Sequence, residues 1–422
     1  DLIGCALAGG TVPKGAIALD LVRRLGGAPE ATIPGLAEKT SAPNAAFANG
    51  ELMNALDWDP IPHTLPCVIA ACLAAAEAKQ ASGKDLILGI AIGNEIASRI
   101  AEALPGDLEP QPHGYASCVF GIAGGTARIL GLDRGRMANC LGVAGFAAPI
   151  PAMTRFEGGM SPIPMTKYVS IGWLAQTGLT AALLAELGYT GDTGILDGPE
   201  GFWRLFGGTR ERWQPGRLTE ALGAAWRTRK PWYKPYPCEV LIGVAVNRLT
   251  EIMRANALSP DDIEAIDFRS MPVLATPCHT TTKIATHVDA QFSVPYILAV
   301  AAHGIEPGPA WQAEKSLRSP EIARFMAKVA VGIHQGEIDT PGSGKQAASV
   351  GHIPLHLVVR AGGREFIIDR TESFITEADI AAKYEGNARL RLSGEAIDAA
   401  RRLILDLESV DDLSLLTRLL RP

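Results

Sequence analysis

Lys167, in MTKYVSIGW, and Lys234, in KPWYKPYPCE, stand far apart in a chain that otherwise spends its charges on solvent. Between and around them lie LDWDPIPHTLP, with Asp57, Asp59 and His63, and FSVPYILA, with Ser293 and Tyr296. Carboxylate, imidazole, amine and phenol are the groups that move protons beside a substrate carboxylate, because bases and acids can coexist there with cations that hold the anion. The combination points to an enzyme.

Each segment has its own logic and a plainer alternative. Pro60, Pro62 and Pro66 forbid regular helix around Asp57 and His63, so the loop is stiff and can aim both side chains into a cleft. An ordinary helix-to-helix connection, with Asp57 as a cap, fits the same residues. Lys167 follows EGGMSPIPMT and opens an apolar helix, where free amides and an ammonium act together on one anion; a surface lysine is the alternative. Lys234 is flanked by Trp232, Tyr233 and Tyr236 and held by Pro231, Pro235 and Pro237. Partial burial there disfavours the charged form and leaves a usable base, a nearby anion reverses that, and cation–π stacking on an exposed loop competes with both. Ser293 and Tyr296 sit three apart across Pro295 on one helix-entry face, where a phenol donates a proton, holds an oxyanion or merely bonds a core carbonyl. His113, in PHGYASCVFG, either bonds a substrate carboxylate or caps the helix that follows. His279 and His287 have no metal-ligand spacing, so no metal is predicted. PGSGKQ lacks the first glycine of a phosphate loop and continues with Gln346, so nucleotide binding is rejected.

The elements that must carry these residues follow from length and pattern. A chain of 422 residues exceeds what one core usually organises, so two domains are expected. A net charge of −6 with interspersed signs argues against a nucleic-acid surface. The seven cysteines have no CxxC pair and read as reduced packing residues of a cytoplasmic protein. No leader pattern or spanning run appears, so neither a membrane nor a nucleic acid is an expected partner. DLIGCALAGG looks like the second half of a helix, as if residues precede it. Residues 1–230 alternate Ala/Leu/Gly-rich helical stretches with turns at Gly83, Gly131 and Gly188, predicting an all-α domain with helices in close approach. Period-two alternation in DIEAIDFRSM and HIPLHLVVRAGGREFIIDR, with helical text between them (LTEIMRAN and PEIARFMAKVAV), predicts a smaller α+β domain over 231–390. The amphipathic end, 391–422, is expected to return to the first domain.

Taken in order, NALDWD with HTLP, HGYASCVFGIAGG, MTKYVSIGWLAQTGLTAALLAELGYTG, EGFWRLFGG, KPYPCE and DAQFSVPYILAVA resemble the MmgE/PrpD family, which includes 2-methylcitrate dehydratase, cis-aconitate decarboxylase and iminodisuccinate epimerase. The resemblance implies a mainly α fold, with a large helical domain and an α+β lid, usually a homodimer, with a cofactor-free site between the domains and a small di- or tricarboxylate as substrate. Family positions carry over onto Asp57, His63, Lys167, Lys234 and Tyr296, and onto His113 with a one-residue gap. Departures accompany them: the aspartate loop is shortened and places Ile61 where a threonine is common, and Ser170 and Glu239 replace histidines. Dehydration needs an acid for the departing hydroxide, whereas epimerisation needs one base and one acid beside a carboxylate. The expectation is therefore an epimerase of the iminodisuccinate type, with dehydration, then decarboxylation, and a non-catalytic binding protein as alternatives. In it Lys167 and His63 orient carboxylates with His113, Asp59, Ser170 and Ser293 nearby, Asp57 assists His63, and Lys234 and Tyr296 exchange the proton.

Overall fold

The small-residue stretches fold as helices Ala42–Asn54, Thr64–Ala78, Gly83–Ala103, Cys118–Ile129, Arg134–Phe146 and Ile171–Glu186. They come from a computed structural model that describes residues 1–104, 115–149, 155–156, 160–197, 200–205, 211–228, 231–334, 353–371 and 375–422. Glycine lets these helices touch backbone to backbone. A Cβ at Gly121 would lie 2.3 Å from the Gly93 carbonyl oxygen, and one at Gly172 would lie 2.4 Å from that of Phe47. The second contact clamps the helix carrying Glu51 and Asn54 against the helix that follows Lys167. Gly131 and Gly188 end their helices at φ 70° and 94°, a left-handed conformation that glycine adopts without a Cβ penalty. Gly83 does not end a helix: it is the first residue of Gly83–Ala103, capped by Ser82, and its missing Cβ makes room for the Leu407 carbonyl.

Among the described residues two large hydrophobic cores result, with a third, small cluster of Cys5, Ala8, Val12, Ala55, Leu56 and Trp58. The first gathers residues such as Leu7, Leu52, Val68, Phe120 and Leu174, together with Tyr384, Leu392, Ile397, Leu413 and Leu420 from the end of the chain. The return therefore begins with helix Glu377–Ala388, earlier than expected, and continues through Gly394–Leu405 and Ser414–Leu419. The second core gathers Trp232, Ile242, Phe268, Tyr296, Trp311 and Leu357 around helices Val240–Ala255 and Val294–Ala302.

The first two strands, β1 (Ala31–Thr32) and β2 (Lys39–Thr40), form a small antiparallel ladder. A four-stranded mixed sheet supports the second core: β3 (Ile263–Ser270), β4 (Val329–Ile333), β5 (Ile353–Ala361) and β6 (Arg364–Thr371), in the order β4-β3-β5-β6. Three of these strands fall where alternation predicts them. β4 does not: the text read as helix through Val331 leaves the helix at Met326, and Val329–Ile333 pairs parallel to β3. β-Branched residues and a ready sheet edge outweigh local helical propensity there. The described residues are thus mainly helical with one small mixed sheet. No single helix among them is long and apolar enough to cross a membrane. All seven cysteines are buried and unpaired.

Candidate active site

Asn54 closes its helix, and the chain then runs through Ala55, Leu56, Asp57 and Trp58 with no repetitive structure, although all four are buried. Buried carbonyls need partners, and here side chains from distant segments supply them. Asn54 O accepts from Lys167 Nζ at 2.8 Å, Ala55 O from Gln291 Nε2 at 2.9 Å and Leu56 O from Gln312 Nε2 at 3.1 Å. Asp57 O accepts from Lys234 Nζ at 2.9 Å, and Trp58 O from Lys383 Nζ at 2.5 Å. Five consecutive carbonyls are thus gripped by five side chains. The loop is fixed as firmly as a strand without belonging to a sheet.

That grip converges the chemistry. Asp57 is fully buried at φ 55°, an uncommon backbone for a residue other than glycine, and Lys167 stands at φ 49°. The Asp57 carboxylate lies 3.0 Å from Lys167 Nζ through Oδ1 and 2.6 Å from Lys234 Nζ through Oδ2. Tyr168 donates to Oδ1 at 3.3 Å and accepts from Asn54 Nδ2 at 2.8 Å. Asp59, also fully buried, holds His63 Nδ1 at 2.6 Å and accepts from Asn54 at 3.0 Å. The His63 ring stacks on Tyr168 with centroids 4.8 Å apart and meets Tyr115 edge-on at 5.4 Å.

The electrostatics separate the two lysines. Burial pushes the Asp57 carboxyl up, but Lys167 and Lys234 outweigh it and hold it well below the usual range. Burial lowers Lys167 to about 8; Asp57 opposes this, and the like charge of Lys14 reinforces it. Lys234 suffers the same desolvation, yet Asp57, Asp59 and Glu239 together raise it above the ordinary lysine value. Burial raises the Asp59 carboxyl, and His63 more than reverses that. Glu239 is half-buried; burial lifts its carboxyl, Lys234 pulls it down, and Asp57 adds to the rise. Burial lowers His279 to about 4, and its Nδ1 is engaged with Thr276 at 2.8 Å.

Set against the sequence reading, Asp57, Asp59, His63, Lys167 and Lys234 come together. The pairing differs: Asp59, not Asp57, holds His63, because the left-handed backbone at Asp57 turns its carboxylate to the two lysines and leaves Asp59, one residue beyond Trp58, to face the imidazole. The helix N-terminus after Lys167 is not open to an outside anion. Glu51 already accepts from Gly172 N at 2.9 Å and from Ser170 Oγ at 2.5 Å, and Ser170 caps the helix through Trp173 N. Tyr296 is not in the cluster: it lies in the second core, and its hydroxyl donates to the Trp311 carbonyl at 2.6 Å. Ser293 caps the same helix through Tyr296 N and donates to Thr281 O at 2.7 Å. The aromatics around Lys234 do not stack on it; Tyr236 stacks on Trp311 instead. His113 and PGSGKQ lie outside the described residues. Sequence reasoning passed over Asn54, Tyr168, Tyr115, Gln291, Gln312 and Lys383. Asn54, Tyr168, Tyr115 and Gln291 had a signal, being near neighbours of Asp57, Lys167, His113 and Ser293; Gln312 and Lys383 had none.

Comparison with known proteins matches residues 1–214 to the MmgE/PrpD N-terminal domain and residues 236–409 to the MmgE/PrpD C-terminal domain. Human cis-aconitate decarboxylase is 24% identical over 403 residues, covering 89% of this chain and 79% of the relative. Cis-aconitate decarboxylase of Aspergillus terreus (strain NIH 2624 / FGSC A1156) is 26% identical over 377 residues, covering 83% and 75%.

Proposed function

This chain belongs to the MmgE/PrpD family, and from that premise we propose that it is a lyase that decarboxylates a small tricarboxylate of the cis-aconitate kind. The observation that carries the reading is one buried carboxylate, Asp57, holding two ammonium groups beside a separate Asp59–His63 pair. Cations for the carboxylates that remain and a proton donor for carbon are what such a reaction needs. Relatives matching over most of this chain, and named for cis-aconitate decarboxylation, support the same choice.

In the proposed step, the bond between the CH2 carbon and its carboxylate breaks and CO2 leaves. The released electron pair forms a new double bond, and the carbon at the far end of the old double bond takes one proton. His63 delivers that proton, with Asp59 fixing the ring and stabilising the imidazolium before transfer. Lys167 and Lys234 hold the two carboxylates that stay, exchanging Asp57 for substrate. Incubation with cis-aconitate in D2O tests this: CO2 and a methylene dicarboxylate with one deuterium are expected. Absence of CO2 from the wild-type enzyme sinks it.

Epimerisation is the second reading. It is favoured by the shortage of free hydroxyls, with Ile61 in the loop and Ser170 engaged with Glu51. Lys167, lowered to about 8, then supplies the base. Deuterium uptake next to a carboxylate with neither CO2 nor water released identifies it, whereas an alkene formed with loss of water identifies dehydration.

A further inference from the structure

We propose that Lys383, on the returning helix Glu377–Ala388, is a positioning residue of this site: its ammonium ties the Asp57–Asp59 loop to the Lys234 loop and so sets the geometry of the proton-moving groups. The inference rests on the site being where a polycarboxylate binds and reacts.

Lys383 is buried, and its Nζ reaches three groups from three segments. It donates to the Trp58 carbonyl at 2.5 Å and to the Lys234 carbonyl at 3.1 Å, and it lies 2.8 Å from a carboxylate oxygen of Asp1. The same ammonium sits 4.9 Å from the Trp58 ring centroid. Trp58 is the residue between the two acids, so fixing its peptide fixes which way each acid faces. Lys234 is fixed twice, through its carbonyl by Lys383 and through its ammonium by Asp57. A shift of one carbonyl would break both registers, and displacement by about 1 Å costs on the order of 100-fold in rate even when no reacting group is altered. An ion kept in an apolar core at a desolvation cost of several kcal/mol has a stated use here: only one compact donor reaches both carbonyls at once. The lowering of Lys383 to about 8, caused first by burial, agrees with that enclosure.

The test compares wild type, Lys383→Met and Lys383→Gln with Ile397→Ala, which cuts a buried side chain of the first core on the next helix, Gly394–Leu405. Turnover of cis-aconitate per folded molecule and calorimetric binding of the inert tricarboxylate tricarballylate are read alongside melting temperature. The expected result is at least a tenfold loss of kcat in Lys383→Met and a smaller loss in Lys383→Gln, which keeps a donor, while Ile397→Ala stays within twofold despite comparable loss of stability. Wild-type kcat in Lys383→Met, or an equal loss in Ile397→Ala, overturns the proposal, and so does failure of both Lys383 variants to fold, which would make the residue a folding element only. If wild type does not act on cis-aconitate, the decarboxylase reading fails and binding decides this one: Lys383→Met must weaken tricarballylate at least tenfold more than Ile397→Ala does. Wild type that neither binds nor turns over overturns both.

Discussion

Replacing Asp57 by Asn removes one charge and almost no volume, and leaves two ammonium groups in a dry site. The attractions lost are about 5.5 kcal/mol for Lys167 at 3.0 Å and about 6.4 kcal/mol for Lys234 at 2.6 Å, taking an effective dielectric of about 20. Desolvation of the carboxylate, several kcal/mol in a buried site, is recovered, so the net loss expected at pH 7 is about 3–5 kcal/mol. The sign with pH follows from the directions of the shifts. The Asp57 carboxyl is depressed in the fold, so its contribution is complete above the unfolded value of about 3.9 and is lost only as pH falls through its much lower folded value. Without it, both lysines titrate lower in the fold than in the unfolded chain. The variant then binds fewer protons when folded, and its stability rises with pH up to the ordinary lysine range. Urea unfolding of wild type and Asp57→Asn at pH 7 and pH 9.5 reads this directly, provided the m-values agree. The deficit should narrow at the higher pH. A deficit below about 1 kcal/mol at pH 7, the size of a surface pair, or one that widens with pH, would refute the reasoning.

Three further outcomes are expected. Asp59→Asn leaves His63 without its charged partner, and kcat on cis-aconitate should fall by about 100-fold or more with a smaller change in KM. Tyr296→Phe should cost about 1 kcal/mol of stability, from the hydrogen bond to Trp311, and leave turnover near wild type; a large loss of kcat would return that phenol to the mechanism. If Lys167 binds substrate as an ammonium, kcat/KM should fall as pH rises through about 8, the value burial gives it. In kcat the same limb should move to higher pH, because a bound carboxylate favours the charged form.

The sequence carried the helices of the first core and most of the second because periodicity and breakers are local. β4 escaped because its strand state comes from pairing with β3, which no local pattern records. Asp57, Asp59, His63 and the two lysines were legible as residue types in rigid, proline-rich settings. Their pairing was not: that Asp59 rather than Asp57 holds His63 depends on a left-handed turn at Asp57, and that turn depends on carbonyl partners far along the chain. Tyr296 looked catalytic for the same reason, since nothing in FSVPYILA records that Trp311 offers it a carbonyl. Gln312 and Lys383 were invisible because a helix or loop of ordinary composition gives no sign of which acceptor its side chain will meet.

On the proposed reading, in which substrate carboxylates take Lys167 and Lys234, Asp57 is a resident rival to the incoming ligand. A molecule with a single negative charge gains little by evicting it, since the attraction it forms merely replaces one already present. A molecule with several anionic groups can take both ammonium groups and return a surplus. Selectivity by valence then comes ahead of shape on that reading, and a ladder of mono-, di- and tricarboxylates should show affinity climbing in steps rather than in proportion to size.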